Sequence, residues 1–207
     1  ICGNPYSEQS LPTSYETSTD FTQVIELAGS AGSLWNPLSN TCRRKIQKAR
    51  RSDVSIVLAE TEADYRAYFS AYQDSRRRWG AKATSDYSWS LIGSIQDLEQ
   101  DKCRLWLATL GTEVLGGLIV FYHGSRAIYW HGAYLESSLN LGVSNLATWE
   151  AVRDASERGF AQFDFNPSGG HEGVVFFKES FGAKKLQFQR GVWRNSLARA
   201  AQGLRRL

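Results

Sequence analysis

The sequence predicts an α/β domain: a mixed, mainly antiparallel sheet of about six strands with helices on both faces. Two stretches carry that expectation. Residues 104–133 hold three apolar strand patterns separated by Gly111-Thr112 and by His123-Gly124-Ser125, which is a meander of antiparallel strands. Residues 129–182 then read as strand, loop, amphipathic helix, strand, glycine-rich loop and short aromatic helix. That order is a β-α-β unit, with one parallel pair and a polar crevice at the C-terminal ends of its strands.

The elements follow in order. In residues 1–33, Gly3-Asn4-Pro5 is turn chemistry, 21–27 alternates as a strand and 29–33 is a small-residue linker. The chain contains no methionine and starts at Ile1, so the expectation is a fragment in which 1–33 is a remnant or linker strand from the end of a first domain. Asn36 as N-cap and Pro37 as first helical residue open a helix whose buried stripe is Leu38, Cys42, Ile46 and Ala49. A short strand covers 54–59. Thr61 with Asp64 matches a capping box, and Tyr65, Tyr68, Phe69 and Tyr72 mark the core face of a long helix stopped by Gly80. A further helix is expected over 89–99 on Leu91, Ile95 and Leu98. Gly116-Gly117, inside the middle meander strand, predicts a bulge or a close backbone approach. The helix over 145–158 buries Leu146, Trp149, Val152 and Ala155, and Gly159 ends it. A strand over 160–166, a helix over 173–181, a strand over 186–193 and an amphipathic tail helix over 195–207 complete the chain. The main domain is expected to span 34–194.

Composition limits the function classes. The chain has 207 residues, 42% of them hydrophobic and 22% charged, the profile of an ordinary globular domain. Its longest strongly apolar run, 114–122, falls far short of the ~20 residues that cross a bilayer. Cys2, Cys42 and Cys103 are few, odd in number and widely spaced, which argues against a disulfide framework and a zinc site and fits a reducing, cytoplasmic setting. His123, His131 and His171 share no ligand spacing, and there is no phosphate-binding loop or dinucleotide fingerprint. The expectation is a reaction that needs no metal or redox cofactor. The net charge is +3, carried by 17 Arg and 7 Lys, and arginine suits phosphate and carboxylate partners.

Three clusters carry candidate chemistry. On the 173–181 helix, Val174, Phe177 and Phe181 form an apolar stripe with Lys178 at its edge. The plain reading is a lysine with its stem on apolar surface and its ammonium in water. The functional one is an ammonium facing a pocket, where it stabilises negative charge on an acyl carbonyl or a phosphate. In Phe163-Asp164-Phe165, Asp164 points away from both rings. It either accepts hydrogen bonds from the 166–170 loop or serves as a general base for an incoming amine. Residues 43–51 carry six cations in nine positions, a face that is either simply solvated or suited to a nucleotide-linked precursor or the backbone of tRNA.

The pattern FDF…G…FK..FG, preceded by N-L-x-x-W-E-A, resembles the C-terminal acyltransferase domain of the FemAB and CelD/BcsL-like families, which belong to the GNAT (N-acetyltransferase) superfold. The resemblance runs over about three quarters of the chain. It implies acyl transfer, acetyl or aminoacyl, to an amine of a sugar or cell-envelope precursor, with a non-catalytic module that holds tRNA or an anionic glycan as the rival. It implies that Phe177 and Lys178 line the transfer site. Through R-R-K-I-x-K-A and the Ser75-x-x-Arg78-Trp79-Gly80 element it implies substrate contacts at Arg43, Arg44, Lys48 and Arg78. Trp130 and Asn145 complete the expected substrate-binding set. The acyl donor stays open between acetyl-CoA and aminoacyl-tRNA. Residues 136–144, where a CoA-dependent relative cradles the pyrophosphate, hold one glycine and no basic residue, which weakens the CoA assignment.

Overall fold

The computed structural model describes residues 3–6, 11–27 and 31–193. Its strands are β1 (Glu16–Glu26), β2 (Val54–Leu58), β3 (Cys103–Leu110), β4 (Glu113–His123), β5 (Arg126–Tyr134), β6 (Gln162–Asp164) and β7 (Lys184–Val192). Its helices are α1 (Ala31–Trp35), α2 (Asn40–Arg51), α3 (Glu62–Trp79), α4 (Trp89–Ile95), α5 (Val143–Glu157) and α6 (Glu172–Glu179). The strands form one seven-stranded sheet in the order β2-β3-β4-β5-β6-β1-β7. The meander β3-β4-β5 is antiparallel, and β5 with β6 is the parallel pair, joined through α5. The expected tail helix over 195–207 lies outside the described residues.

Strand alternation divides the core into two layers. Trp106 and Ala108 of β3 and Leu118 and Val120 of β4 face the layer that α2 and α5 cover with Cys42, Ile46, Leu146, Trp149 and Val152. Leu105 and Leu107 of β3 and Ile119 of β4 face the other layer, covered by Tyr65, Tyr68 and Tyr72 of α3 and Ile92 and Ile95 of α4. The stripes expected on α2 and α5 are all buried. The capping box of Thr61 and Asp64 opens α3, and Gly80, at φ 54°, ends it.

Several expectations are corrected. The sheet has seven strands because β1 is a long strand inside it, antiparallel to β6 on one side and to β7 on the other. Asn36 and Pro37 do not open α2. Ser39 is its N-cap: its Oγ accepts from the Cys42 N–H at 3.1 Å while its own N–H donates to the Ser180 carbonyl at 2.9 Å. The helix expected over 89–99 stops at Ile95, because the chain then turns into β3 with the N–H groups of Lys102 and Cys103 on the Glu99 carbonyl. Leu91 and Leu98 are consequently exposed, and Ile92 joins Ile95 in the core. The strand expected over 160–166 shrinks to three residues. Gly116-Gly117 is a close approach: a Cβ on Gly116 would strike the Ala133 carbonyl and the Tyr134 backbone.

Candidate active site

Strands β5 and β6 pair only as far as Ile128 and Asp164, then part. The residues after Asp164 fold back as a tight turn. Asn166 sits in the left-handed region at φ 60°, a conformation that asparagine tolerates better than most residues. Its N–H donates to Asp164 Oδ1 at 2.8 Å, which closes an Asx turn. Its side-chain Nδ2 donates to the Tyr129 carbonyl at 2.9 Å and spans the gap between the parting strands. Gly169 and Gly170, both at positive φ, lead the chain into α6.

Asp164 is buried and carries three donors: the Asn166 N–H, the Thr22 hydroxyl and, at 2.6 Å, the Tyr6 hydroxyl. Tyr6 lies under the Arg126 guanidinium at 3.6 Å, and burial together with the Asp164 carboxylate pushes its phenol far above the ordinary range. The Lys178 ammonium donates to the Asn166 carbonyl at 2.5 Å. The lysine is 4% exposed, so the plain reading of an ammonium in water is corrected. Lys178 and Phe181 face inward while Val174 of the expected stripe faces solvent. Burial lowers the Lys178 pKa to about 8, against an opposing pull from the Asp164 carboxylate. An ammonium with one donor committed to a carbonyl keeps two to offer a developing oxyanion.

The opposite face of β5 holds a second polar centre. Ile119 pairs with His131 and Val120 with Tyr129, so Trp130 is an extra residue in the strand. A one-residue insertion flips the phase of all that follows. Trp130 and His131 therefore both point to the α3 layer, whereas Tyr129 packs against Phe165 on the α5 side. The rings of Tyr68, Tyr72, Trp79, Tyr87 and Trp130 surround the His131 imidazole at 5.1–6.3 Å. Its Nδ1 lies 2.6 Å from the Tyr68 hydroxyl, and its Nε2 is buried with no partner among the described residues.

Burial lowers the His131 pKa from 6.5 to about 4. The unfolded chain then binds the proton more readily than the folded one, so stability is full above 6.5 and is lost as pH falls towards 4. The expected loss is about 3 kcal/mol. Denaturant titrations of the wild type and His131→Gln across this window test it, because carboxylate effects cancel in the difference. Equal acid sensitivity would refute it.

The other expected residues scatter. Phe177 is partly buried beside Phe181, ring centroids 5.2 Å apart, on the helix that carries Lys178. Trp130 stacks on Tyr87 at 4.8 Å, on the His131 side. Arg78 is a strut: its guanidinium donates to the Tyr134 carbonyl and to Ser75 Oγ and pairs with Asp74 at 3.5 Å. Arg43 reaches the Asn36 carbonyl and Asn40 Oδ1, and Arg44 and Lys48 are exposed on α2. Asn145 is buried between α2 and α5, with its Nδ2 3.5 Å from Cys42 Sγ. The sequence reading missed Asn166, Tyr6, Thr22 and His131. Asn-Pro before Gly-Gly marks a turn at Asn166, but no periodicity reveals His131.

The geometry of residues 136–144 bears on the donor. Glu136–Leu141 winds as a 3-10 turn, and Gly142, at φ 82°, starts α5. A Cβ on Gly142 would lie 2.5 Å from the Lys45 carbonyl of α2, so helix α2 rests against the first turn of α5. Gly142, Val143 and Asn145 are buried there. A CoA pyrophosphate needs the open N–H groups of such a turn, and here the turn packs against α2 and holds no basic side chain. Among the described residues, no three His, Cys, Asp or Glu side chains are grouped to hold a metal ion, and no helix is long and apolar enough to cross a membrane.

The comparisons agree with this architecture. Residues 38–179 match the acetyltransferase (GNAT) domain family, and the chain belongs to it, an acyltransferase domain by class. Among solved structures, FemX superposes with a TM-score of 0.69 at 14% identity over 92% of this chain and 66% of that one. L-PGS from Bacillus licheniformis gives 0.64 at 11% identity over 93% and 67%. A C-terminal domain assigned to a lysylphosphatidylglycerol synthetase of Agrobacterium fabrum gives 0.60 at 10% identity over 91% and 65%. At these identities the likeness is one of fold, and the chain spans about two thirds of the length of those proteins. No curated protein sequence matches the chain.

Proposed function

We propose that this domain transfers an aminoacyl group from an RNA carrier to an amine on a cell-envelope or sugar precursor. The observation that carries the choice of donor is the packing of α2 over the first turn of α5, at Lys45 and Gly142. It crowds the helix terminus on which a CoA pyrophosphate depends, in a turn that holds no basic side chain. The FemX and lysylphosphatidylglycerol synthetase folds support the same direction. The exposed cations Arg44, Lys45, Lys48 and Arg51 form no ion pair among the described residues and offer a surface for an RNA backbone.

The amine attacks the ester carbonyl of the donor, a C–N bond forms, and the carbonyl electrons move onto oxygen. The Lys178 ammonium stabilises that oxyanion. Collapse breaks the bond between the acyl carbon and the ribose oxygen, which leaves as a hydroxyl with a proton relayed through water from the attacking amine. Asp164, already holding three donors, anchors the 164–166 turn that aims Lys178. Phe177 packs beside the reacting carbonyl, and the partly buried Trp130 faces the acceptor.

The test offers labelled acetyl-CoA and a mixture of labelled aminoacyl-tRNAs to the protein with amino-sugar and lipid-linked acceptors. Label transfer from tRNA alone is expected. Transfer from acetyl-CoA would overturn the donor assignment. Salt-sensitive tRNA binding without turnover would favour a binding module.

A further inference from the structure

The proposed transfer uses nothing that depends on His131, although its imidazole is the most elaborately housed polar group on the α3 side. Its Nδ1 lies 2.6 Å from the Tyr68 hydroxyl, whose only other acceptor in reach among the described residues is the His131 carbonyl at 3.4 Å. Burial holds the Tyr68 phenol well above its ordinary pKa, so the oxygen keeps its proton. The short contact directs that proton to Nδ1, and a neutral imidazole then carries its own proton on Nε2. Nε2 is the atom with no partner among the described residues. A sealed N–H donor without an acceptor is costly, and a ligand oxygen would relieve the cost.

The walls define what that oxygen belongs to. Tyr72, Tyr87, Trp79 and Trp130 present rings around the imidazole. Aromatic faces disfavour a carboxylate, and an ammonium has no lone pair for an N–H donor. What remains is an uncharged oxygen on a body flat or apolar enough to lie against a ring, such as an amide carbonyl or a sugar hydroxyl. Of these rings Tyr87 stands on the irregular segment 83–88 between α3 and α4. The segment is held by the Tyr87 N–H to Tyr72 Oη bond at 2.8 Å, a longer Ser85 contact, the exposed Arg76–Asp86 pair, the Ala83 N–H on the Gly80 carbonyl and the packing of the Tyr87 ring on Tyr72 and Trp130. Its outer side borders an open depression of about 820 Å³ that Arg76, Ser85 and Asp86 help to line.

We infer that His131, fixed by Tyr68 as the Nε2–H tautomer, is the hydrogen-bond donor that receives a neutral oxygen of the acyl acceptor when Tyr87 swings aside. The inference deepens the acyltransferase reading by assigning the acceptor's chemistry. It makes His131 a binding residue and Tyr68 a positioning residue.

Nitrogen NMR of the histidine side chains near neutral pH, on the whole chain and with no acyl donor present, tests it. The probes are N-acetylglucosamine, for a sugar, and N-acetylglycine methylamide, for a peptide. Protonation at Nε2 is expected, with a shift of that resonance and quenching of tryptophan fluorescence by one of the two probes, which identifies the source. His131→Gln, which keeps an amide donor near the same place, should retain binding. His131→Leu should weaken it about tenfold, the scale of one lost buried hydrogen bond, and Tyr68→Phe should weaken it by freeing the tautomer. An Nδ1–H tautomer, an Nε2 resonance that neither probe moves, or undiminished binding by His131→Leu would each overturn the inference. Probe binding without aminoacyl turnover would count against the transfer reading alone, and turnover that ignores His131→Leu against this one alone.

Discussion

Lys178→Met is expected to lower acyl transfer by roughly 10²–10³-fold, the scale of one lost oxyanion donor in a closed site. Methionine fills a similar volume without a buried charge, so the thermal midpoint should stay close to that of the wild type. The wild type should also lose activity as pH rises through about 8, where the ammonium gives up its proton. Stability should move the other way. The folded pKa lies below the ordinary 10.5, so burial disfavours the charged form, and the fold gains on the unfolded chain as pH climbs from about 8 towards 10.5. The methionine variant should lack this gain. A pH–rate profile and melts over the same range decide the matter; a variant that keeps most of its activity would remove Lys178 from the chemistry.

The second large effect concerns Gly116. Its φ of 135° is a conformation that side chains rarely adopt, and a Cβ there would meet the β5 backbone at Ala133 and Tyr134. Backbone can yield only by shifting the strand. Gly116→Ala is therefore expected to cost about 3–5 kcal/mol, strain and overpacking together. That is a large share of the ~5–15 kcal/mol that holds a domain of this kind folded. Denaturant melts measure it, and a loss below about 1 kcal/mol would show that β5 gives way more easily than this packing implies. The adjacent His131 bulge should register the shift as a change in its tautomer signal.

What the sequence made legible follows from range. The stripe Leu38, Cys42, Ile46 and Ala49 is set by helical period, and the Thr61–Asp64 box by contacts three residues apart, so both could be read locally. Asn36-Pro37 was locally plausible, but Ser39 won because its N–H finds the Ser180 carbonyl, a partner far along the chain. The burial of Lys178 depends on the Asn166 carbonyl, which the turn after Asp164 brings beneath α6. His131 was invisible for a different reason. One inserted residue at Trp130 reverses the inside and outside of β5, and no window of alternating hydrophobicity records an insertion. The family motif marked Phe177 and Lys178, but Arg78 and Asn145, expected on the same grounds, are spent on internal contacts.

The place of β1 sets the order in which this domain can be completed. Glu16 faces Val192 and Val24 faces Asp164, so β1 leaves the ribosome well before either of its neighbours, β7 and β6. Until then its backbone is an unpaired ribbon edge, while β2 to β5 can assemble through short loops. Translation itself thus splits folding into an early local phase and a late closure, and the unfinished chain is exposed to strand exchange with a second nascent copy in the interval. Pausing synthesis before β7 should hold the protein in a protease-sensitive state, and release should restore resistance in a single step.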